Sequence, residues 1–317
     1  MKTNLSLCVP TAKRPKILGK LLDNISSQRL IPDEIIIIDG ANETETKNEV
    51  DIRKKSFDDG VLQYYPSQLG LTLQRNIGID ICKSKYICML DDDVILEPDC
   101  LEKMVEFLNS EEGNKYAAIS AFISNNYGRD FFKMEKFLNK IQVYDGELKP
   151  GRWLYCGDFL ELSTLKQFDG VYDTQFIPGG AAIFRKKIID DIRPDSNFKF
   201  IGEDKHWTLR ISQKYKIGVL GNAKLIHDHV SVGVRKTPFK RELEAERNLA
   251  IILVDCDENL TLRRYLFFFS YRVIKNTIDI ILNIYRLRFD MLTTILGRFI
   301  GSIINIIPPR YFNNHFK

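Results

Sequence analysis

The chain has 317 residues, of which 44% are hydrophobic and 28% are charged, as in soluble globular proteins. This length is enough for one large α/β domain with an appendage. The formal net charge of +4 is uneven, because the segment from Leu260 onward carries nine Lys and Arg against two Asp, a net of +7. The preceding residues therefore carry a net charge of −3, which excludes a nucleic-acid-binding surface there.

The cysteines fit a reduced core better than a disulfide framework or a zinc site. They are Cys8, Cys82, Cys88, Cys100, Cys156 and Cys256. None forms a CxxC pair, and several fall inside apolar runs that predict strands. The first residues, Met1–Asn4, lead directly into a predicted strand without a signal-peptide pattern. We therefore expect a cytoplasmic protein.

Apolar runs alternate with helical patterns over the first 90 residues, which predicts a parallel sheet covered by helices on both faces. The predicted strands are Leu5–Val9, Glu34–Ile38, Val61–Tyr65 and Tyr86–Leu90. The predicted helices between them are Ile17–Ile25, a polar helix ending near Ser56, and Leu71–Cys82. The chain has neither a GxGxxG nor a GxxxxGK[ST] pattern, which excludes a dinucleotide fingerprint and a P-loop.

The second half of the chain is less regular. Residues 125–176 are rich in aromatic and charged side chains and predict irregular structure. A strand at Ala181–Phe184, a helix at Asp204–Lys214, a strand at Ile217–Leu220 and a strand-like run at Ala223–Ile226 follow. From about Pro238 to Ile307 the pattern is helical and basic. We therefore predict an α/β domain over residues 1–236 and a helical extension over residues 237–317.

Three consecutive aspartates, Asp91, Asp92 and Asp93, come directly after the buried strand Tyr86–Leu90. Adjacent carboxylates repel one another unless a cation shares the site. Mg²⁺ and Mn²⁺ prefer carboxylate and water oxygens, and Mg²⁺ sites often include substrate phosphates. A lone triplet also fits a solvated turn. The end of a strand in an open α/β sheet, however, is where ligands bind, which favours a divalent-cation site.

Several short patterns accompany the triplet in a defined order. They are Asp39, Gly70 with Arg75, Asp91-Asp92-Asp93, Gly179-Gly180, Gly202-Glu203-Asp204 and His227-Asp228-His229. Over residues 4–232 this order resembles the family 2 glycosyltransferases of the glycan-assembly type. The resemblance implies an α/β GT-A fold, with a Rossmann-like, mostly parallel sheet flanked by helices. The C-terminal basic helical extension would follow it.

The resemblance implies a pocket for a UDP-, dTDP- or GDP-sugar. Thr11 and Arg14 occupy the loop that lines the nucleotide pocket in such enzymes, and Asp39 matches the acid that contacts the base or ribose. A turn-forming Asp before Gly is the plain alternative for Asp39.

Other positions match the diphosphate and sugar parts of this pocket. Gly70 leads into the helix whose Arg75 matches the residue approaching the diphosphate, although an exposed helix charge fits equally well. Gly179 and Gly180 resemble the loop against the donor sugar, where small residues let the backbone approach a ligand. A plain turn would have a similar sequence.

The resemblance also assigns the metal. Asp91 and Asp93 match the two acids of the DxD motif. Asp93 would bind the cation directly, while Asp91 and Asp92 would hold ribose, metal-bound water or the metal. His227 is expected as a further ligand, with His229 as the alternative, since neutral imidazole can ligate Mn²⁺. The sequence does not distinguish Mn²⁺ from Mg²⁺, and an ordinary polar turn remains open for the histidines.

The catalytic residues implied by the resemblance are Asp204 and Glu203. Asp204 matches the general base that takes the proton of an acceptor hydroxyl, in a reaction that inverts the anomeric configuration. Glu203 would position the acceptor or replace Asp204 as the base. The alternative is that both acids only interact with a helix N-terminus.

The predicted extension, residues 237–317, interleaves basic and apolar residues. Its longest uncharged run, Phe299–Pro309, has 11 residues, well below the roughly 20 needed to span a bilayer. This pattern favours helices at the inner face of a membrane. Packing on the α/β domain or on a second subunit is the alternative.

The sequence therefore predicts a metal-dependent inverting glycosyltransferase whose acceptor is a saccharide, expected to be lipid-linked. A sugar-phosphate nucleotidyltransferase is the second reading. It usually needs a glycine-rich basic loop after the first strand, and Pro10–Pro15 has no glycine. A non-catalytic membrane-bound scaffold is the third reading, against which Asp91, Asp93 and Asp204 argue.

Overall fold

A computed structural model describes residues 3–128, 148–198, 201–228, 237–285 and 291–304. The chain divides into two compact units. The first unit comprises Met1–Asp130 and Glu161–Val234, and the second comprises Phe131–Leu160 and Arg235–Lys317. The boundary at residue 234 lies close to the predicted division at 236, but Phe131–Leu160 groups with the C-terminal region.

The first unit is built on one sheet of nine strands within the described residues. The strands are β1 Leu5–Thr11, β2 Glu34–Asp39, β3 Leu62–Pro66, β4 Tyr86–Leu90, β5 Val94–Leu96, β6 Tyr116–Ile123, β7 Val171–Thr174, β8 Ala181–Arg185 and β9 Lys216–His227. Their order across the sheet is β3-β2-β1-β4-β8-β6-β9-β5, and β7 pairs with β9. The predicted α/β class, with a mostly parallel sheet, is confirmed.

The parallel part of the sheet, β3-β2-β1-β4, has the strands that the sequence predicts. Every residue of β1, β2 and β4 is buried, because helices cover both faces. In the register, Thr11 lies opposite Asp39, so β1 and β2 end at the same level. Polar residues after these strands are therefore brought to one edge of the sheet.

Beyond β4 the sheet becomes mixed. Strand β8 pairs antiparallel with β4 and with β6, and β6 pairs parallel with β9. The sequence predicts two separate strands here, at Ile217–Leu220 and Ala223–Ile226. The structure has one strand, β9, whose pairing with β6 shifts between Leu220 and Lys224, around Gly221. This irregularity lets one strand of 12 residues reach the edge strand β5, where His227 lies opposite Val94.

Helices cover the sheet of the first unit. They are α1 Pro15–Ser26, α2 Thr44–Arg53, α3 Leu71–Ile81, α4 Cys100–Asn109, α5 Lys186–Asp191 and α6 Glu203–Ser212. Helix α3 approaches β1 so closely that a Cβ added at Gly78 would lie 2.1 Å from Cys8 Sγ. A side chain larger than hydrogen at position 78 would therefore push α3 off the sheet.

The second unit has three helices in its described part, α7 Pro238–Cys256, α8 Leu262–Tyr285 and α9 Leu292–Ile304. Residues of α7 and α8, including Leu253 and Phe268, form a small apolar core. Arg272 of α8 is buried and donates hydrogen bonds to Glu246 and Asp158. None of the helices in the described ranges has the length and apolar character to cross a bilayer. The predicted continuation to Ile307 lies partly outside those ranges.

Candidate active site

The candidate site lies where β1, β2 and β4 end on the first unit. Thr11 and Asp39 are the last residues of β1 and β2, and Asp91–Asp93 follow β4 immediately. His227, the last residue of β9, comes to the same place from the mixed part of the sheet. Residues distant in sequence therefore meet at one sheet edge, as ligand-binding residues do in open α/β folds.

Asp92 points toward the loop after β1. Its carboxylate accepts a hydrogen bond from Thr11 Oγ1 at 2.7 Å and forms an ion pair with the Arg14 guanidinium. Burial raises the Asp92 pKa to about 6, and the Arg14 charge opposes that shift. Thr11 and Arg14, both predicted for the nucleotide pocket, are thereby tied to the aspartate triplet.

Asp91, Asp93 and His227 form a cluster in which one ligand atom of each lies within 4.8 Å of the others. His227 Nε2 lies 3.0 Å from Asp93 Oδ1 and 3.9 Å from Asp91 Oδ2. Burial raises the Asp93 pKa, but the His227 hydrogen bond and the nearby charges outweigh it, so the pKa is lowered. Two carboxylates and one imidazole fit a cation such as Mn²⁺.

His227 is held in place by Asn125, a residue that the sequence did not single out. The Asn125 side chain donates to the His227 carbonyl at 2.8 Å and accepts from the His227 N–H at 3.0 Å. The Asp228 N–H also donates to the Asp93 carbonyl at 2.8 Å. The backbone on either side of the His227–Asp93 contact is thus fixed. His229, the alternative ligand, lies outside the described residues.

Arg75 is a buried side chain, so the alternative of an exposed helix charge is wrong. Its Nη1 donates to Glu203 Oε1 at 3.0 Å, and its Nη2 donates to Asp91 Oδ1 at 3.3 Å. Its Nε has no hydrogen-bond partner among the atoms that the structure describes. Arg75 therefore joins the predicted catalytic acids to the candidate cation cluster.

Glu203 and Asp204 begin α6, and they have different surroundings. Glu203 is buried on Arg75, whereas Asp204 is half-buried and accepts the Lys205 N–H at 2.8 Å. Burial, followed by the Asp204 charge, raises the Glu203 pKa to about 7, although Arg75 acts in the opposite direction. Burial also raises the Asp204 pKa. A carboxylate with a raised pKa is a better proton acceptor near neutral pH.

Gly179 and Gly180 contact both halves of the site. A Cβ added at Gly180 would lie 2.0 Å from Asp91 Cγ. One added at Gly179 would lie 3.0 Å from Arg75 Nη1 and 3.2 Å from Asp204 Cβ. The Asp91 N–H also donates to the Gly180 carbonyl at 2.9 Å. Glycine is therefore required at position 180 for the backbone to pass the first aspartate of the triplet.

Asp39 lies in the same edge, and its carboxylate is occupied by protein groups. It accepts the Ala41 and Glu43 N–H groups and the Tyr64 hydroxyl, each at 2.9 Å. These bonds form the turn that the plain alternative describes. The role of Asp39 in binding the base or ribose stays a prediction. Among the described residues, Asp39 makes no direct hydrogen bond to Asp91 or Asp93.

Gln74 connects the Asp39 end of the site to the triplet end. Its amide donates to the Thr11 carbonyl at 2.9 Å and to the Ile38 carbonyl at 2.7 Å. Its carbonyl oxygen lies 3.4 Å from the N–H of Gly70, the residue before α3. This role is not evident from the sequence, since a Gln one position before Arg75 fits a solvent-facing helix position equally well.

Comparison with known proteins gives a family match. The family model described as "Glycosyl transferase family 2" matches residues 6–193. The glucosyl-dolichyl phosphate glucuronosyltransferase of Haloferax volcanii is 26% identical over 106 residues, 33% of this chain and 34% of its own. The GalNAc(5)-diNAcBac-PP-undecaprenol beta-1,3-glucosyltransferase of Campylobacter jejuni is 27% identical over 130 residues, 40% of this chain and 41% of its own. The matches thus span well under half the length of these curated relatives.

Solved structures share the fold. The mannosyltransferase PcManGT from Pyrobaculum calidifontis, in complex with GDP-Man and Mn²⁺, has a TM-score of 0.58 and 14% identity over 95% of this chain and 86% of its own. S. aureus TarS 1-349 in complex with UDP-GlcNAc has a TM-score of 0.52 and 13% identity over 96% of this chain and 91% of its own. At these identities the likeness concerns the fold alone.

Proposed function

Because the chain belongs to glycosyl transferase family 2 and is a glycosyltransferase, we propose that it uses a nucleotide-diphosphate sugar and a divalent cation. In this proposal the sugar passes, with inversion, to a hydroxyl of a lipid-linked saccharide. The nucleotidyltransferase and scaffold readings receive no support from the family match or the relatives.

One observation carries the proposal, namely that Arg75 contacts Asp91 and Glu203 at once. The cation cluster includes Asp91, and Asp204 lies beside Glu203 at the start of α6. A transferase needs a charge-stabilising group at the leaving diphosphate and a base at the acceptor. Candidates for both groups lie around the buried Arg75: its Nη2 contacts Asp91 of the cation cluster, and its Nη1 contacts Glu203, the neighbour of Asp204.

The donor side would be formed by the aspartate triplet. Asp91, Asp93 and His227 are the groups that would hold a divalent cation, and when bound it would neutralise charge on the leaving diphosphate as a Lewis acid. Asp92 holds the Arg14 loop, and Arg75 supplies a second positive charge near the diphosphate. Mn²⁺ and GDP-Man in PcManGT, and UDP-GlcNAc in TarS, support this class of donor.

The acceptor side would be formed by Asp204. Asp204 is the more exposed residue of the acid pair, which favours it as the one that a hydroxyl approaches, while Glu203 stays buried on Arg75. Asp204 would accept the hydroxyl proton as the oxygen attacks the anomeric carbon from the face opposite the leaving group. Glu203 would position Arg75. The lipid-linked acceptors named for the dolichyl and undecaprenol relatives support a lipid-linked acceptor here, met at the inner face of a membrane.

A thermal-shift screen tests the donor site. UDP, GDP and dTDP are each added with and without Mn²⁺ or Mg²⁺, because a ligand that binds only the folded state raises the melting temperature. We expect one nucleoside diphosphate to stabilise the protein in a cation-dependent manner, and Asp93→Asn to abolish that shift.

The matched control is Asp99→Asn, another acidic residue of the first unit, which pairs with Lys103 at the surface. This variant should retain the full shift. Equal stabilisation of the Asp93 variant and the wild type would contradict the assignment of the cation cluster. A cation-independent shift would contradict metal dependence while leaving the nucleotide donor in place.

A further inference from the structure

Within the part of the chain that the structure describes, helix α8 of the second unit has an exposed apolar side. Its exposed large aliphatic side chains recur at spacings of three, four, seven and eight residues, which keeps them on one side of an α-helix. They are Leu262, Leu266, Ile274, Ile281 and Ile284. The buried residues of the same helix, such as Phe268 and Arg272, fall on the opposite side. We call the exposed set the α8 stripe.

Helix α9 has a similar set, the α9 stripe. It consists of Leu296, Ile300, Ile303 and Ile304, all exposed. The only charged residue within the described part of α9 is Arg298, and it pairs with Glu242 of α7. The opposite side of α9 packs closely, since a Cβ added at Gly301 would lie 2.9 Å from Glu246 Cβ. Each helix thus has one packed side and one bare aliphatic side.

Aromatic and basic side chains accompany the α8 stripe. Tyr155, Phe267 and Tyr271 are half-buried, and the Phe267 ring lies beside both tyrosines, with ring centroids 5.1 Å apart for Tyr155–Phe267 and 6.5 Å apart for Phe267–Tyr271. The exposed Arg263 and the half-exposed Lys275 lie on the same helix. Tyr side chains and cations next to an aliphatic surface are typical of protein at a membrane–water interface.

Charge identifies the occupant of these stripes. The segment from Leu260 onward has a net charge of +7, whereas the rest of the chain has −3. A second copy of this chain would bring an equally basic segment against the first, which Coulomb repulsion opposes. An anionic lipid surface offers negative headgroups to the basic residues and hydrocarbon to the stripes. The helices do not need to span the bilayer for this.

We propose that the α8 and α9 stripes bind the interfacial layer of an anionic membrane. The inference deepens the proposed function and rests on it for its purpose, since an enzyme with a lipid-linked acceptor must reach the bilayer surface. The binding itself needs neither donor nor acceptor. It can therefore be measured separately from sugar transfer.

The experiment is vesicle co-sedimentation of the full chain without nucleotide. One vesicle preparation contains phosphatidylglycerol and phosphatidylcholine in equal amounts, and the other contains phosphatidylcholine alone. We expect binding to the anionic vesicles and binding that is roughly tenfold or more weaker to the neutral ones, because several cations contribute. Raised salt should weaken the anionic binding.

Two variants address the stripes themselves. Ile274→Glu with Ile281→Glu changes the α8 stripe, and Ile300→Glu with Ile303→Glu changes the α9 stripe. Each pair should weaken binding to anionic vesicles by roughly tenfold or more, since apolar contact is lost and negative charge is added. The control is Ile52→Glu on α2, because Ile52 is 59% exposed, as are Ile274 and Ile281. The control should bind like the wild type.

Three results would overturn the proposal. They are no binding of the wild-type chain to anionic vesicles, equal loss in the stripe and Ile52 variants, and a wild-type dimer in light scattering that the stripe variants convert to a monomer. The last result would assign the stripes to a second copy. Transfer to a detergent-solubilised acceptor, measured in parallel, keeps a failure of this inference distinct from a failure of the proposed function.

Discussion

Among the described residues, each unit has one buried arginine that contacts two acids, and the two arrangements differ in how completely their groups are paired. In the second unit, Arg272 donates from Nε and Nη2 to Glu246 and from Nη1 to Asp158. Asn276 and Ser302 donate further hydrogen bonds to Glu246. In the first unit, Arg75 contacts Glu203 and Asp91, and its Nε lacks a partner among the described residues.

The balance of charge differs as well. Glu246 and Asp158 outweigh the effect of burial on Arg272 and raise its pKa. Around Arg75, three acids, Asp91, Glu203 and Asp204, act on one guanidinium, and burial still raises the Glu203 pKa to about 7. The Asp91 side chain is also 30% exposed.

This difference separates a structural network from a functional one. A buried network with all its groups paired rigidifies the fold, and it links α7, α8 and α9 in the second unit. A buried site with excess acid and an unpaired donor is unfavourable without a ligand, and such sites occur where chemistry takes place.

The largest effect is expected at the acid pair on Arg75. Asp204→Asn should lower the transfer rate roughly 10²- to 10⁴-fold, because it removes the proton acceptor. Nucleotide binding should stay within about twofold of the wild-type affinity, since Asp204 does not belong to the cation cluster. Steady-state kinetics and isothermal calorimetry measure both quantities. If Glu203→Gln lowers the transfer rate strongly and Asp204→Asn leaves it nearly unchanged, Glu203 is the general base and Asp204 is not.

The two arginines should respond differently to the same substitution. Arg272→Met should lower the free energy of unfolding by about 3–5 kcal/mol, because it removes the positive charge that balances the buried Glu246 and the half-buried Asp158. Arg75→Met should cost only about 1–3 kcal/mol, since Glu203 can take up a proton and Asp91 is partly solvated. It should nevertheless reduce transfer strongly. Urea denaturation and activity assays of both variants measure these effects. If the two variants lose equal stability and Arg75→Met keeps its transfer activity, the Arg75 network is structural like that of Arg272.

Stability should depend on pH through Glu203. Its folded-state pKa of about 7 lies above the ordinary value of 4.5, so between these values the folded state binds more protons than the unfolded state. The stability of the wild type relative to Glu203→Gln should therefore fall as pH rises from 4.5 to 7, by about 3 kcal/mol at most. Denaturation of both proteins across this range measures it, and a constant or rising difference would contradict the raised pKa.

The smallest effect is expected at Asn125, which supports His227 from outside the cluster. Asn125→Ala should weaken cation-dependent nucleotide binding by roughly tenfold, because outer-shell partners orient metal ligands. Unfolding should change little, since Asn125 is exposed. Asn259→Ala, at an exposed asparagine of the second unit, is the control for binding. A loss of stability without a change in cation affinity would make Asn125 part of the scaffold only.

The parallel half of the fold is already evident in the local amino-acid sequence. The runs at Leu5–Val9, Glu34–Ile38 and Tyr86–Leu90 are apolar except for Ser6 and Glu34, and short runs of this kind are typical of strands buried on both faces. Strand Tyr86–Leu90 has the predicted bounds, and so the aspartate triplet was placed correctly at its end. The α/β class and the membership of glycosyl transferase family 2 followed from the order of these strands and motifs.

The mixed half of the sheet was decided by tertiary structure. Strands β5 and β7 have three and four residues, and such short segments carry too little periodicity to predict a strand. The sequence also divided β9 in two, since Gly221 and Asn222 interrupt its apolar run as they would at the end of a strand. The single long strand that brings His227 beside Asp93 depends on pairing with β6 and β5.

The surroundings of each site residue were likewise settled only in three dimensions. The sequence indicates Arg75, Glu203 and Asp91 as separate candidate residues. It does not show that the buried Arg75 guanidinium contacts both acids. Nor did it indicate Gln74 or Asn125, whose amides bond to backbone groups distant in the chain. Local sequence determines which residues are charged and where strands end. Burial and partners depend on contacts between residues far apart in the chain, which only the packed fold defines.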